Sequence, residues 1–194
     1  MCIRDRHKSN SSTLKLVAGV DEVGRGCLAG PVIAAAVILK KPIPGLKDSK
    51  KLSSKARKHL YELIIENSIF SFGSASPQEI DEINILQASL LAMKRAILNL
   101  SVIPGMILVD GTHKPDIQID AKTIIGGDSI VDEISAASII AKVYRDNLMI
   151  KFDNDYPNFY FAKHKGYGTK LHLEAIKKHG ITSIHRKTFK GVLR

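Results

Sequence analysis

Acidic side chains stand at three points in the sequence where a strand or loop ends. Asp21 and Glu22 close one apolar run, Asp110 closes another, and Asp128 follows two glycines. Open α/β sheets bind ligands at the ends of their strands, so these four groups can converge on one site. Adjacent strand residues point to opposite faces, so Asp21 and Glu22 can share that site only if the backbone bends there. The glycine-rich turn that follows them makes such a bend cheap.

A group of carboxylates is typical of a divalent-metal site. Neighbouring carboxylates repel one another unless cations neutralise them, and hard oxygen ligands favour Mg²⁺ or Mn²⁺. Two such ions can activate a water molecule and stabilise the leaving oxygen of a phosphodiester. Local roles are the alternative, with Asp110 opening an Asp-Gly turn, Asp128 capping a helix or turn, and the Asp21-Glu22 pair solvated. Spacing alone leaves both interpretations open.

Glycine, hydroxyl and lysine residues form three further candidate ligand-binding segments. The loop at residues 24–31 lets backbone amides approach a ligand closely, although it lacks the Gly-Lys-Ser/Thr ending of a nucleotide P-loop. Residues 48–51 and 164–169 combine hydroxyls with lysines ahead of helices, which suits phosphate contact, and Tyr167 offers a ring to a sugar or base. Tight turns, capping and solvation explain all three segments as well. The C-terminal histidines lack cysteine partners and an H-E-x-x-H pattern, so we expect no zinc site.

The charge distribution favours a polyanionic partner. The chain has 194 residues, a net charge of +10 and a sequence pI near 9.6. Residues 1–58 carry +9, residues 59–141 carry −7 and residues 142–194 carry +8. Basic segments that contact phosphates release counterions, which suits nucleic acid, although solubility alone would also explain them.

The composition excludes several other classes of protein. Hydrophobic residues make up 44% and charged residues 25%, which are ordinary globular values. No apolar run reaches the roughly 18–20 residues needed to cross a bilayer, so we expect no membrane association. Two cysteines are too few for a disulfide framework. We therefore expect a reducing, cytoplasmic location and, in the absence of a long apolar stripe, a monomer.

The hydrophobic pattern predicts an α/β domain that would position these residues. Strands are predicted at residues 16–20, 32–39, 69–74 and 106–109. Helices are predicted from the Ser53 cap to about residue 67, from a capping box at Ser76, from the Asn84 cap through residue 100, and at residues 134–155 and 169–178. Basic residues in the first turns of the Ser53-capped helix oppose its dipole, which favours an outside partner. The predicted domain is layered, with a mixed sheet and a helical, basic C-terminal third.

The beginning of the chain is excluded from this fold prediction. Residues 1–6 are what the end of a commonly used sequencing-library adapter would encode, so we expect them to be a read artefact. Residues 1–13 are predicted to be a disordered tail, and residues 14–194 a single catalytic domain.

Together these segments resemble the bacterial type 2 ribonucleases H, the ribonuclease HII family. The similarity runs in family order from about residue 16 to residue 189. The matching motifs are Gly19-Val20-Asp21-Glu22-Val23-Gly24-Arg25-Gly26, Gly30-Pro31, Asp48-Ser49-Lys50-Lys51-Leu52, Val109-Asp110-Gly111, Gly127-Asp128-Ser129, Ile134-Ser135-Ala136-Ala137-Ser138-Ile139, Ala141-Lys142 and His164-Lys165-Gly166-Tyr167.

The resemblance implies a fold, a reaction and a set of site residues. The fold would be a three-layer ribonuclease H-like α/β domain with a mixed five-stranded sheet. The reaction would be Mg²⁺- or Mn²⁺-dependent cleavage of RNA in RNA/DNA hybrids, including nicking 5′ of single ribonucleotides in duplex DNA, as in ribonucleotide excision repair. Matching motif positions would make Asp21, Glu22, Asp110 and Asp128 the catalytic metal ligands, and Gly24, Arg25, Gly26, Ser49, Lys50, Lys165 and Tyr167 the substrate-binding residues.

Some features depart from the family pattern and leave alternatives. Cys27 stands where the family often has proline, and a tail for docking a sliding clamp would be absent or truncated. The related type 3 enzymes carry an N-terminal substrate-binding domain for which residues 1–15 leave no room, and Arg25 also favours type 2. The alternatives are a type 3-like preference for longer RNA stretches and a non-catalytic basic RNA-binding protein, which would gain nothing from four acids facing its ligand.

Overall fold

Five strands form one mixed sheet at the centre of the molecule. The computed structural model describes residues 16–46 and 53–193, and its strands are β1 (Val17–Val23), β2 (Val32–Leu39), β3 (Ser68–Ala75), β4 (Met106–Asp110) and β5 (Ala121–Ile124). Their order is β3-β2-β1-β4-β5. The β1–β2 and β2–β3 pairs are antiparallel, whereas β1–β4 and β4–β5 are parallel. The predicted tail at residues 1–13, together with Ser49 and Lys50, lies outside the described residues.

Helices cover both faces of this sheet. They are α1 (Ser54–Asn67), α2 (Pro77–Leu98), α3 (Asp132–Asp155), α4 (Phe161–His164) and α5 (Lys170–His179). Residues of α2 pack with β1, β2 and β4 in one apolar cluster, and residues of α1 and α3 pack with β2 in a second. A third cluster joins α5 and the C-terminal half of α3 to the loop after β1. The predicted layered α/β fold with a mixed five-stranded sheet and helical C-terminal region is confirmed.

Local hydrogen bonds explain where the helices begin. The Ser53 hydroxyl accepts from the amide of Ala56 at the start of α1. Ser76 and Glu79 exchange the two bonds of a capping box at the start of α2. Asn84 interrupts α2 with a φ of 67° and accepts from the amides of Leu86 and Gln87, which is the cap that the sequence predicted there.

Several predicted boundaries differ from the observed ones. The first strand continues to Val23 instead of ending at residue 20, because residues 19–23 pair with β2. The third long helix begins at Asp132 instead of residue 134. Strand β5 and the short helix α4 were not predicted, because AKTI and FAKH carry too few apolar residues to show a period. Within the described ranges, no helix is both long and apolar enough to cross a membrane.

The contact between β1 and α3 determines where the site forms. Gly19 on β1 lies directly under the first turn of α3, and a Cβ at that position would approach the Glu133 carbonyl carbon to 2.1 Å. Only a residue without a side chain allows this approach. The beginning of α3 is therefore held close to the carboxyl end of β1, two residues before Asp21.

Candidate active site

Two carboxylates meet at the carboxyl ends of the central parallel strands. The β1–β4 register pairs Val20 with Val109, so Asp21 and Asp110 follow as neighbours one residue further along. Their position is the strand edge at which open α/β sheets place their ligands.

The environment of Asp21 disfavours its charged form. Burial raises the pKa of Asp21 well above its usual value, and the negative charges of Glu22 and Asp110 raise it further. Hydrogen bonds from the Ser138 side chain and the Glu22 amide, the latter 2.8 Å long, oppose this effect. A cation at this edge would offset the repulsion.

Asp128 is buried in the segment that packs against Asp110. A left-handed Gly126 leads into a 3₁₀ turn (Gly127–Ser129), and the Gly127 amide donates to Asp110 Oδ1 at 2.7 Å. The Ser135 hydroxyl on α3 donates to the Asp128 carbonyl oxygen. These bonds attach the 3₁₀ turn to Asp110 through Gly127 and to α3 through Asp128. The convergence of the Asp128 side chain with the strand-end acids stays a prediction.

Glu22 opens into a cleft of about 350 Å³ beside these acids. Its walls combine Glu22 and Val23 of β1 with Ser138, Ile139 and Lys142 of α3, Arg57 of α1, and Tyr167. The Lys142 ammonium lies 5.6 Å from the centroid of the Tyr167 ring and pairs with Asp146 at 2.9 Å. Carboxylate, cationic and aromatic groups thus face one another across a space that could admit a sugar-phosphate unit.

The backbone does not need to leave the strand for Asp21 and Glu22 to reach the same region. Both residues stay paired with β2, opposite Ala35 and Ala34. Asp21 nevertheless bonds Ser138, and Glu22 lines the cleft with that same serine. The two acids therefore reach the same region without the bend that the alternation of strand side chains would require, since β1 stays paired with β2 as far as Val23.

The glycine-rich loop is held from inside the molecule by two buried arginines. Arg186 donates to the carbonyl oxygens of Gly24, Arg25 and Gly30 at 2.7–3.0 Å. Arg145 donates to those of Ala29, Pro31 and Lys165 at 2.9–3.0 Å. Both side chains are 0% exposed. With its carbonyls bound inward, the loop is fixed in one shape, which preorganises its outer surface for a ligand.

The outer surface of the loop lies next to the acids. The Arg25 guanidinium pairs with Glu22 at 3.1 Å and is half exposed. Gly24 has a φ of 94°, and a Cβ there would come within 2.2 Å of Arg145 Nε, so the turn requires glycine. Gly26 is exposed, with open space where a Cβ would be. Cys27 forms a β-bridge with Tyr167, which attaches the loop to the tyrosine of the cleft.

Of the remaining predicted substrate residues, Lys165 is the one within the described ranges. The Lys165 ammonium donates to the Ala162 carbonyl oxygen, so in this conformation it is folded back on its own segment. Its role in binding stays a prediction, as do those of Ser49 and Lys50, which lie outside the described ranges.

Three cleft residues were not among the predicted site residues. Ser138 and Lys142 lie four residues apart on α3 and so share one helix face, and Arg57 belongs to the basic first turns of α1. The motif that contains Ser138 and the unfavourable charge at the start of α1 were the available signals. Neither indicates a site without knowing which helix faces the strand ends.

The donor chemistry fits a hard divalent cation. Asp21, Glu22 and Asp110 interact electrostatically and supply only oxygen, the ligand that Mg²⁺ and Mn²⁺ prefer. As placed, no three His, Cys, Asp or Glu side chains within residues 16–46 and 53–193 approach closely enough to hold a metal ion. Ligation by all four predicted acids therefore stays a prediction.

A mixed five-stranded sheet between helices, with acids at the ends of its central parallel strands, defines the ribonuclease H-like class of fold. The family model described as ribonuclease HII matches residues 18–192. Ribonuclease HII of Vibrio campbellii is 56% identical over 181 residues, covering 92% of this chain and 85% of that protein. The chain belongs to the ribonuclease HII family.

Solved structures agree with this assignment. The ribonuclease HII seen in a complex with PCNA from Archaeoglobus fulgidus superposes with a TM-score of 0.77 at 28% identity, covering 92% of this chain and 96% of that one. Bst-RNase HIII in complex with Mn²⁺ gives 0.74 at 19% identity, covering 92% of this chain and 68% of that one, which supports the fold alone. The protein is thus a ribonuclease H, an endonuclease that acts on RNA/DNA hybrids. The ribonuclease H family depends on divalent metal ions.

Proposed function

We propose that the protein nicks duplex DNA on the 5′ side of single embedded ribonucleotides, in addition to cleaving the RNA strand of longer hybrids. The observation that carries this proposal is the 3.1 Å ion pair between Arg25 and Glu22. It places the glycine-rich loop next to the strand-end acids, so a nucleotide held by the loop presents its phosphate to them.

Recognition of the ribonucleotide would rest on the loop and on Tyr167. Backbone groups of Gly24, Arg25 and Gly26 would approach a 2′-hydroxyl closely because two of these three residues carry no side chain, and this hydroxyl is what distinguishes RNA from DNA. Tyr167 is 40% exposed, and its ring can pack on the sugar of the next nucleotide. Together they would recognise a junction and not only a stretch of RNA.

The chemistry would be hydrolysis at phosphorus, leaving a 3′-hydroxyl and a 5′-phosphate. Asp21, Glu22, Asp110 and Asp128 would hold two divalent cations, which activate water and offset the charge of the leaving oxygen when bound. Lys142 and Arg57 would hold the backbone phosphates in the cleft. Ser138 would keep the Asp21 carboxylate oriented towards Asp110 through its hydrogen bond.

A cleavage assay with matched duplexes tests this proposal. The wild-type protein is incubated with Mg²⁺ or Mn²⁺ and 5′-labelled duplexes that contain one ribonucleotide, a full RNA strand, or DNA only. We expect a single nick 5′ of the lone ribonucleotide, multiple cuts in the hybrid and none in DNA, and polymerase extension of the nick would identify its 3′-hydroxyl. If the protein cuts the hybrid but leaves the single-ribonucleotide duplex intact, it does not recognise the junction, and a type 3-like preference for longer RNA is favoured.

Two tyrosines of equal exposure provide a matched pair of variants. Tyr167 is 40% exposed in the cleft, and Tyr144 is 41% exposed on α3, stacked on Phe72 outside the cleft. Tyr167→Ala should raise KM for the single-ribonucleotide duplex about tenfold, the size expected for one lost aromatic contact. Tyr144→Ala should change KM less than about twofold, because no nucleotide contact is assigned to it. Equal changes of KM in the two variants would mean that Tyr167 does not contact the substrate.

A further inference from the structure

Three buried histidines lie directly behind Tyr167 and take no part in the proposed chemistry. His164, His172 and His185 are 8%, 0% and 1% exposed. The rings of His164 and His172 stack with centroids 4.4 Å apart, and Phe159 and Phe161 surround the group. They lie where the segment before α5 meets the segment after it, with the glycine-rich loop packed against both.

The hydrogen-bond partners fix which nitrogen of each ring carries the proton. The Thr182 amide donates to His185 Nδ1 at 2.9 Å, so His185 carries its proton on Nε2. His172 Nδ1 lies 2.9 Å from the Tyr167 carbonyl oxygen, which can only accept, so His172 carries its proton on Nδ1. His185 Nε2 therefore donates to His172 Nε2 at 3.1 Å. The result is a directed chain from Thr182 through both rings to Tyr167.

This chain ties Tyr167 to the loop. His185 forms a β-bridge with Ala29, and Arg186, the next residue, holds Gly24 and Arg25 by their carbonyl oxygens. At the other end of the chain, Tyr167 bridges Cys27. The histidine pair thus closes a ring of contacts that fixes the tyrosine relative to the loop.

We infer that His172 and His185 are positioning residues for substrate selection, because their hydrogen-bonded pair holds the Tyr167 backbone so that its ring faces the cleft. The inference rests on the proposed contact of Tyr167 with substrate. The structure thereby assigns a selectivity role to residues that contact no nucleotide themselves.

The surroundings favour the neutral rings that this chain requires. Burial lowers the pKa of both His172 and His185 to about 4, partly offset by the bonds to Tyr167 and Thr182. The neighbouring His164 lowers both values, and its own pKa is lowered by burial, with Asp153 opposing and Lys165 assisting that effect. A second proton on His172 would set its Nε2–H against that of His185 and break the pair, and a second proton on His185 would set its Nδ1–H against the Thr182 amide.

Ring-nitrogen NMR of the full chain tests the geometry without any substrate. We expect His172 as the Nδ1–H form and His185 as the Nε2–H form at pH 7. The Nδ1–H form of His172 is the more informative of the two, because a free histidine ring in water prefers the Nε2–H form. An Nε2–H His172, or rapid exchange between forms for either ring, would overturn the inference whatever the activity.

Variants of His172 test the consequence for the reaction. His172→Phe keeps the ring stacking and removes both hydrogen bonds, whereas His172→Asn retains an amide donor near the position of Nδ1. We expect His172→Phe to raise KM for the single-ribonucleotide duplex about fivefold with kcat within about twofold, since a misplaced contact weakens binding before chemistry. His172→Asn should recover most of that loss, and His179→Asn on the exposed end of the same helix should leave KM unchanged.

A double variant separates positioning from general structural damage. If His172 acts through Tyr167, adding His172→Phe to Tyr167→Ala should change KM no further, because the two residues form one unit. The inference would be contradicted if the two substitutions raised KM additively. It would also be contradicted if His172→Phe lowered only kcat, in proportion to its loss of unfolding free energy in urea. If His172→Phe does not fold, His172→Asn and the NMR signature still decide. Failure of Tyr167→Ala to affect KM would instead count against the proposed function.

Discussion

At the scale of single residues, Arg145 and Arg186 depend on backbone carbonyls as their partners. Each guanidinium makes three hydrogen bonds to carbonyl oxygens of the loop or of Lys165, and burial lowers the pKa of Arg186 to about 10. A planar fork with several fixed N–H donors can serve three acceptors arranged around it, whereas an ammonium is a compact point donor. These two arginines should therefore be sensitive to exchange for lysine.

Replacing Arg186 with lysine tests this requirement. Arg186→Lys leaves at least one buried carbonyl without a donor, at a cost of ~1–3 kcal/mol for each group. We expect the free energy of unfolding, measured in urea, to fall by ~2–3 kcal/mol. Arg95→Lys is the matched control, since Arg95 pairs with Glu79 at the surface and should lose no more than ~1 kcal/mol. Equal losses of unfolding free energy in the two variants would mean that the three carbonyl oxygens bound by Arg186 do not require a guanidinium.

At the scale of elements, the close approach of β1 and α3 governs the site. Ser135 and Ser138 reach Asp128 and Asp21 only because the first turn of α3 rests on Gly19. Small residues on the adjoining part of α3, Ala136 and Ala137, continue this contact and are fully buried. A side chain on β1 at this point would push the helix away from the acids.

Gly19→Ala measures the importance of that contact. Its Cβ would lie 2.1 Å from the Glu133 carbonyl carbon and 2.3 Å from the Ile134 nitrogen, both backbone atoms that cannot rotate away. We expect a loss of at least ~2 kcal/mol in the free energy of unfolding, the upper part of the range for overpacking. Gly26→Ala, with open space around its Cβ, should change that energy by less than ~0.5 kcal/mol. A stable Gly19→Ala variant would show that α3 can move.

Element prediction from the sequence succeeded where the hydrophobic period was strong. The Ser76 capping box, the Asn84 cap and the apolar strand before Asp110 each carry a local signal, and each is present. Strand β5 was not predicted, because two of its four residues are polar or basic and it lies at the edge of the sheet. The end of β1 was set by its pairing with β2, which local residues do not encode.

The proximity of the strand-end acids was predictable from the sequence, whereas the residues that support the glycine-rich loop were not. Asp21, Glu22 and Asp110 stand at strand ends that the sequence identifies, so their shared location follows from sheet geometry. The bonds from Arg145 and Arg186 to the glycine-rich loop connect residues more than 100 positions apart in sequence. Such pairings depend on how the C-terminal helices pack, which no local pattern specifies.

At the scale of the whole molecule, the buried histidines link stability to pH. The pKa values of His172 and His185 are about 4 in the folded protein against an ordinary 6.5, so the unfolded chain binds more protons between those pH values. Folding keeps these rings neutral, so the free energy of unfolding rises with pH in this range. Their contribution is fully present above about pH 6.5 and is lost as the pH falls towards 4, at up to ~1.4 kcal/mol per pH unit for each ring.

His172→Asn should weaken this dependence. Urea unfolding of wild type and variant between pH 4 and pH 7 gives the slope of the unfolding free energy in each. We expect the variant to show a shallower slope below pH 6.5 by ~1 kcal/mol per pH unit, because one titrating ring has been removed. Titrating carboxylates affect both proteins alike and cancel in the difference. Parallel slopes would mean that His172 titrates normally in the folded state.

The proposed reaction requires that acids at the ends of β1 and β4 form its divalent-metal site. Asp110→Asn keeps the shape of the side chain and removes its charge, and Asp116→Asn does the same at a carboxylate that is 96% exposed and contacts Lys94. The measurement is single-turnover cleavage of the one-ribonucleotide duplex with Mn²⁺, alongside binding of the same duplex by each variant.

We expect Asp110→Asn to lower the cleavage rate at least about a hundredfold, because a group that organises transition-state charge is lost. Duplex binding should stay equal or tighten, because a negative charge facing the phosphates is gone. Asp116→Asn should cleave at the wild-type rate. Cleavage by Asp110→Asn within about tenfold of the wild-type rate, or loss of duplex binding by the folded variant, would mean that Asp110 is not a ligand of the catalytic metal.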